Sequence, residues 1–189
     1  DTRFVAIVDG TTGDTTLEEV DATLGRSHIV ARGSIAGARG AKGRTISLDV
    51  SADGRLVAYA SNRNGEGNLD VYVQQTTGGA AIRLTEDPAD DHQPDVSPDG
   101  SLVAFRSGRT PSGVYVASAL GGAARLIAPE GWGPRFSPDG RSIAFWTRSW
   151  LAPRSVNARR RTFVVPAAGG TPTPVASELA RGGGRSGDG

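Results

Sequence analysis

Apolar and polar positions alternate strictly in short runs along this chain, and the runs recur. Leu102, Ala104 and Arg106 fall on one side of a period-two pattern, with Val103, Phe105 and Ser107 on the other. Such alternation in β-branched and aromatic residues predicts a strand, and here both faces are apolar enough for burial. Ahead of this run stands Ser97-Pro98-Asp99-Gly100, with Pro where φ near −65° is needed and Gly where positive φ is tolerated. The turn and strand return as Ser51-Ala52-Asp53-Gly54 before Leu56–Tyr59 and as Ser137-Pro138-Asp139-Gly140 before Ser142–Phe145. The turn glycines are 46 and then 40 residues apart, a period that marks a repeat array.

Each unit continues in the same order. A second run follows, Leu69–Gln74 or Gly113–Ser118. Then comes a Gly-Gly turn (Gly78-Gly79, Gly121-Gly122, Gly169-Gly170) and a short run, Ala81–Thr85, Ala124–Ile127 or Thr173–Ala176. A last run, Pro94–Ser97 or Pro134–Ser137, leads into the next turn. Four short antiparallel strands per 40 to 46 residues is the layout of a propeller blade. The first residues fit the scheme, since Asp1–Ile7 aligns with Asp53–Tyr59. Ser27–Ala31 then reads as a third strand, and Arg44–Ser51 as a fourth strand merging into the next unit. The expected fold is all-β: about four blades of four-stranded antiparallel sheet, as an incomplete fragment of a six- to eight-bladed propeller. The expected divisions are a partial first blade with an insertion over 1–45, then blades over 46–90, 91–130 and 131–178. A Gly-rich tail or linker occupies 179–189. With the first blade lacking its inner strand, the expected array is an open arc. Its expected core includes Val57, Tyr59, Val71, Val103, Phe105, Val114, Val116, Phe136, Ile143, Phe145, Phe163 and Val165.

The Ser-Pro-Asp-Gly, Val-Ala-Phe, Val-Tyr-Val, Gly-Gly and Arg-Leu-Thr elements resemble the WD40-like (PD40) repeats of TolB. The resemblance is strongest from Ser61-Asn62-Arg63 through Arg83-Leu84-Thr85 to Ser97-Pro98-Asp99-Gly100. Similar repeats build the propellers of prolyl oligopeptidase and dipeptidyl peptidase relatives and the sensor domains of bacterial kinases and regulators. The resemblance therefore implies fold firmly and function loosely, because one scaffold serves unrelated tasks. It implies a protein- or peptide-binding module. The alternatives are a substrate-gating propeller of a serine peptidase whose catalytic domain lies elsewhere, or a sensor. A periplasmic or secreted location follows for a TolB-like protein, a cytoplasmic one for a peptidase.

Composition narrows the chemistry. The net charge of +1 gives no general drive toward nucleic acid or membrane. With no Cys there is no thiolate chemistry and no disulfide. The only histidines are His28 and His92, and no Gly-x-Ser-x-Gly elbow occurs, so no catalytic residue and no cofactor is expected. Glu86, Asp87, Asp90, Asp91, His92 and Asp95 form the densest polar group. They lack the spacing of a calcium loop, and turn-capping carboxylates account for them; no metal site is expected. A basic, aromatic insertion at 148–161 contains Arg148, Trp150 and Arg154, and reads as a surface loop rather than a nucleic-acid grip.

Strand order ranks the surfaces. The Ser-Pro-Asp-Gly and Gly-Gly turns share one rim and are alike in every unit. The variable loops 62–68, 86–93, 109–112, 129–132 and 148–161 share the other, and loops on a rigid scaffold carry recognition. A partner-binding rim of Arg63, Asp91, His92, Arg109, Trp132, Arg148, Trp150 and Arg154 is expected, facing a protein or peptide and neither nucleic acid nor membrane.

Overall fold

The computed structural model describes residues 3–9, 15–21, 26–32, 48–65, 67–147 and 161–175, with side chains from residue 48 onward. Every regular element among them is a strand. The first sheet contains β1 (Arg3–Asp9), β2 (Thr15–Asp21) and β3 (Arg26–Arg32), paired in that order. Three four-stranded antiparallel sheets follow. The second is β4 (Leu48–Val50), β5 (Leu56–Ser61), β6 (Asp70–Gln75) and β7 (Ile82–Arg83). The third is β8 (Asp91–Val96), β9 (Leu102–Ser107), β10 (Gly113–Ser118) and β11 (Arg125–Pro129). The fourth is β12 (Gly131–Phe136), β13 (Ser142–Thr147), β14 (Arg161–Pro166) and β15 (Thr173–Pro174).

This is an all-β propeller array of up-and-down blades. It is open: among the described residues no strand of the first sheet pairs with one of the fourth. Two expectations near the start need correction. Arg26–Arg32 is the last strand of its sheet, because Thr15–Asp21 forms a strand ahead of it. The Glu18-Glu19 pair interrupts the apolar alternation there, and ladder pairing with β1 overrides it. Leu48–Val50 is the first strand of the second sheet, paired to β5, rather than the close of the blade before it.

Each blade opens on the same knot of hydrogen bonds. In the third sheet Ser97 Oγ donates to Asp99 Oδ1 at 2.6 Å and accepts from Leu102 N at 2.9 Å. Asp99 Oδ1 also accepts from Ser101 N at 3.1 Å, and Gly100 N donates to Ser97 O at 2.8 Å. The bonds repeat around Ser51 and Asp53, and around Ser137 and Asp139. Gly54, Gly100 and Gly140 hold φ of 71°, 72° and 70°, which a side chain would strain. The donors pull all three carboxyls below the ordinary value, that of Asp99 to about 2.

Packing occurs between blades. Val71 and Val73 of the second sheet meet Val103, Phe105 and Tyr115 of the third in one cluster. Val114, Val116 and Ile127 meet Ile143, Phe145 and Val165 of the fourth in another. The predicted core is buried except at Phe136 and Phe163, which are half-buried against the edge of the second cluster. An aromatic pair spans the middle two strands of each of the three four-stranded blades: Tyr59–Tyr72, Phe105–Tyr115 and Phe145–Phe163, directly opposite in register and stacked. Facing aromatics across a ladder stabilise a sheet beyond simple burial.

The inner strands β4, β8 and β12 are clasped by carboxylates. Asp49 Oδ2 accepts the amide of Val96 at 2.7 Å, and Asp95 Oδ2 accepts that of Phe136 at 2.6 Å. Each acid lies two residues before its turn serine and reaches the amide one residue before the turn serine of the next blade.

Two outcomes are expected. Phe105→Ala, at a site with no solvent exposure, should cost about 3–5 kcal/mol in urea unfolding; a loss below about 1 kcal/mol would contradict the interblade core. Asp99 contributes stability that is complete above its unfolded pKa near 3.8 and disappears as pH falls through about 2. Asp99→Asn should therefore be less stable than the parent chain above about pH 4 and match it near pH 2. A deficit that is constant with pH would exclude this linkage.

Candidate binding rim

The strand ends away from the Ser-Pro-Asp-Gly turns bring together most of the buried charge. In the crevice between the second and third sheets, Asp70 starts β6 and Asp91 starts β8, and neither is exposed. Arg83 reaches Asp70 Oδ2 at 2.8 Å, and Asn64 and Thr85 donate to the same carboxylate at 2.6 and 3.2 Å. Arg109 reaches Asp91 Oδ2 at 2.7 Å and donates from Nε to Ser107 Oγ at 2.6 Å. Burial pushes both carboxyls above their ordinary value, and the arginines oppose it. A buried pair of this kind stabilises chiefly in the sense that removing one partner strands the other.

The arginines also cover the aromatic pairs. Arg109 lies 4.9 Å from the Tyr115 ring centroid and 5.8 Å from that of Phe105. Arg63 lies 5.4 Å from Tyr72 and donates to Tyr59 Oη at 2.9 Å. Arg161 lies over Phe163 in the fourth sheet at 5.7 Å. A cation on an aromatic face near solvent adds modest attraction and caps the blade.

The acidic loop is tied down by its own carboxylates. Asp90 Oδ1 accepts Leu69 N at 3.0 Å, Asp87 Oδ1 accepts Ala89 N at 2.9 Å, and Asn68 donates to Asp87 O at 2.8 Å. These are turn-capping roles. No group of three or more metal-ligating side chains occurs among the described residues.

Between the third and fourth sheets the chemistry changes. His92 meets Trp132 edge-on at 5.9 Å, and Trp132 stacks on Trp146 at 5.7 Å. Arg106, which is 6% exposed, lies 4.4 Å from the Trp132 ring centroid. Gly133 has φ of 55°, and a Cβ on it would come within 2.7 Å of Trp146 Nε1. Nearer the Ser-Pro-Asp-Gly rim, Arg135 pairs with Asp95 at 2.7 Å and approaches Asp49 at 3.7 Å. One guanidinium thus spans three consecutive inner strands. Burial raises the Asp95 carboxyl, against the amide of Phe136 and the charge of Arg135.

Of the expected rim residues, Arg63, Asp91, His92, Arg109 and Trp132 lie at this end of the blades. Asp91 is buried and serves to hold Arg109, so it offers no surface of its own. Arg148, Trp150 and Arg154 lie outside the described residues. Sequence reading missed Arg106, Trp146 and Arg135. The signal available was positional, since Arg106 falls where the preceding unit has Ala60, and Arg135 where it has Asp95 and then Asp49.

The model of the TolB beta propeller domain matches residues 25–161. The chain belongs to that family. Among solved structures it is similar to TolB from Acinetobacter baumannii, with 16% identity and a TM-score of 0.66 over 92% of this chain and 40% of that one. A putative TolB from Agrobacterium tumefaciens gives 21% identity and a TM-score of 0.68 over 92% of this chain and 60% of that one. Oligogalacturonate lyase from Vibrio parahaemolyticus gives 11% identity and a TM-score of 0.66 over 91% of this chain and 48% of that one. No curated protein sequence matches. The chain spans about two-fifths to three-fifths of the TolB structures it matches, and identities this low establish the propeller fold alone.

The Asp91–Arg109 pair of this TolB-type propeller predicts strong coupling. Asp91→Ala should cost about 3 kcal/mol or more, and the double variant with Arg109→Ala should cost clearly less than the two single losses together. Additivity within about 0.5 kcal/mol in urea unfolding would show the pair to be uncoupled.

Proposed function

We propose that this chain is a non-catalytic binding module that presents the rim bearing Arg63, His92, Arg109 and Trp132 to a protein or peptide. The observation that carries the reading is the contrast between the two rims. One is built of near-identical Ser-x-Asp-Gly knots whose polar groups are consumed in local hydrogen bonds. The other varies from blade to blade and sets arginine, histidine and tryptophan on a rigid framework, the residue types that anchor interfaces. Similarity to TolB supports the same reading.

The test is hydrogen exchange on the chain with a retained, identified protein partner. Protection is expected in the loops around Asn64, Asn68 and Arg109, with Trp132→Ala and Arg63→Ala each weakening retention about tenfold or more. Protection confined to the Ser-x-Asp-Gly turns would overturn the assignment. So would hydrolytic or lyase turnover intrinsic to the purified chain.

A further inference from the structure

The two described crevices between blades are equivalent in backbone and opposite in charge design. Where the first has Asp70, Asp91 and Thr85, the second has Gly113, Gly131 and Ala128. Where the first has Ala60, the second has Arg106. The acids are gone and a cation has been added. Arg106 on β9 faces His92 across the ladder on one side and Val114 on the other. Its Nη1 donates to Gly113 O at 3.3 Å, and its buried Nε has no hydrogen-bond partner. Among the described residues no carboxylate lies within ion-pairing distance of it, whereas Arg83, Arg109 and Arg135 each hold one at 2.7–2.8 Å. Asp91, the next acid along the ladder, pairs opposite Ser107 and is taken by Arg109.

Asp91 attracts Arg106 without touching it, and a guanidinium out of water with no carboxylate in contact is costly, a cost that falls when an anion completes the pair. Gly113 and Gly131 cannot give way to acids: a Cβ on Gly113 would lie 2.4 Å from Ala128 O, and one on Gly131 2.9 Å from Val114 and Phe145 carbons. A carboxylate in direct contact with Arg106 would have to come from outside these strands. Trp132 and Trp146 are half-buried at its rim side and form a flat wall beside the guanidinium. The buried Nε of this planar cation keeps an unused donor, and a guanidinium fork matches a carboxylate in two parallel hydrogen bonds.

We propose that the Nε edge of Arg106, walled by Trp132, receives a carboxylate of a bound peptide. This rests on the rim-binding reading and names the chemistry the rim selects. The carboxylate can be a chain terminus or an acidic side chain. Binding would bury it against tryptophan and pair it with an already desolvated donor, where a charge-assisted bond is strongest.

The experiment uses the full chain and three N-acetylated tripeptides: Ala-Ala-Ala with a free C-terminus, Ala-Asp-Ala with an amidated one, and Ala-Ala-Ala amide. Tryptophan fluorescence and the Arg106 Nε–H resonance are followed during titration. At least one carboxylate peptide should bind about tenfold or more tighter than the neutral amide and shift the Arg106 resonance. Preference between the two identifies the source of the carboxylate. Arg106→Met should remove the discrimination without lowering the thermal midpoint, because it deletes an unpaired buried charge. Arg106→Lys, which keeps the charge and loses the fork, should weaken it about tenfold. Equal binding of acid and amide, or an Arg106 resonance unmoved by either acid, overturns the proposal, as does discrimination that persists in Arg106→Met. A resonance that moves while no protein protects the rim keeps the carboxylate site and removes the wider reading. Protection of the rim without any effect at Arg106 removes the site alone.

Discussion

The carboxylates that β4 and β8 each extend to the next inner strand set the geometry on which the rest depends. A single four-stranded blade has two apolar faces and cannot bury either by itself. Burial requires a neighbour at fixed distance and register. Asp49 supplies that for the second and third sheets by accepting Val96 N, and Asp95 for the third and fourth by accepting Phe136 N. The bond runs from side chain to backbone, so it specifies where the next strand sits whatever residue occupies the position. With strands so placed, Val103 and Phe105 meet Val71, and Val114 meets Ile143. The clasp is also costly, because Asp95 is nearly buried and burial opposes its charge. Arg135 answers that cost from the adjacent strand.

Arg135 stands where the series calls for another acid. Its guanidinium turns back toward Asp95 and Asp49 instead of forward to a further strand. One substitution therefore changes a position from clasping to neutralising. The fourth sheet accepts the clasp and extends none from this position. The repeat is thus directional, and each blade's inner strand can be specialised without disturbing the turn that follows it.

The fold was legible because its signals are local and multiply repeated. Ser-x-Asp-Gly dictates a positive φ at Gly100 and a hydroxyl–carboxylate pair, both decided within six residues. Alternation in Leu102–Ser107 placed Phe105 in the core without any knowledge of its neighbour. The strand Thr15–Asp21 was not legible, since Glu18 and Glu19 mask its period and only pairing with β1 defines it. At the rim, reading loops by variability placed Arg63, Arg109 and Trp132 at the strand ends where they lie. It placed Asp91 on the surface, although strand pairing carries that carboxylate inside to hold Arg109. Arg106 was hidden for a deeper reason. It sits inside a period-two strand, where a polar residue reads as the solvent face, and burial there depends on Trp132 arriving from the next blade.

Charge burial in the array follows one rule with one exception. Asp70, Asp91 and Asp95 are out of water, and each has an arginine at 2.7–2.8 Å, with further donors on Asp70 and Asp95. Folding can tolerate such groups because each arrives with its counter-charge on the same or the adjacent sheet. Arg106 arrives with a carbonyl and an aromatic face in contact and Asp91 only at a distance, which stabilise a cation far less than a paired carboxylate does. An aromatic wall has a second consequence, since it excludes water without competing for the guanidinium's remaining donors. The crevice is therefore polarised rather than satisfied, unlike its neighbour one blade earlier. Interblade crevices in one array can share a backbone and still diverge into a closed structural ion-pair network and an incomplete one. The incomplete one is where affinity for an outside anion is already built into the folded state.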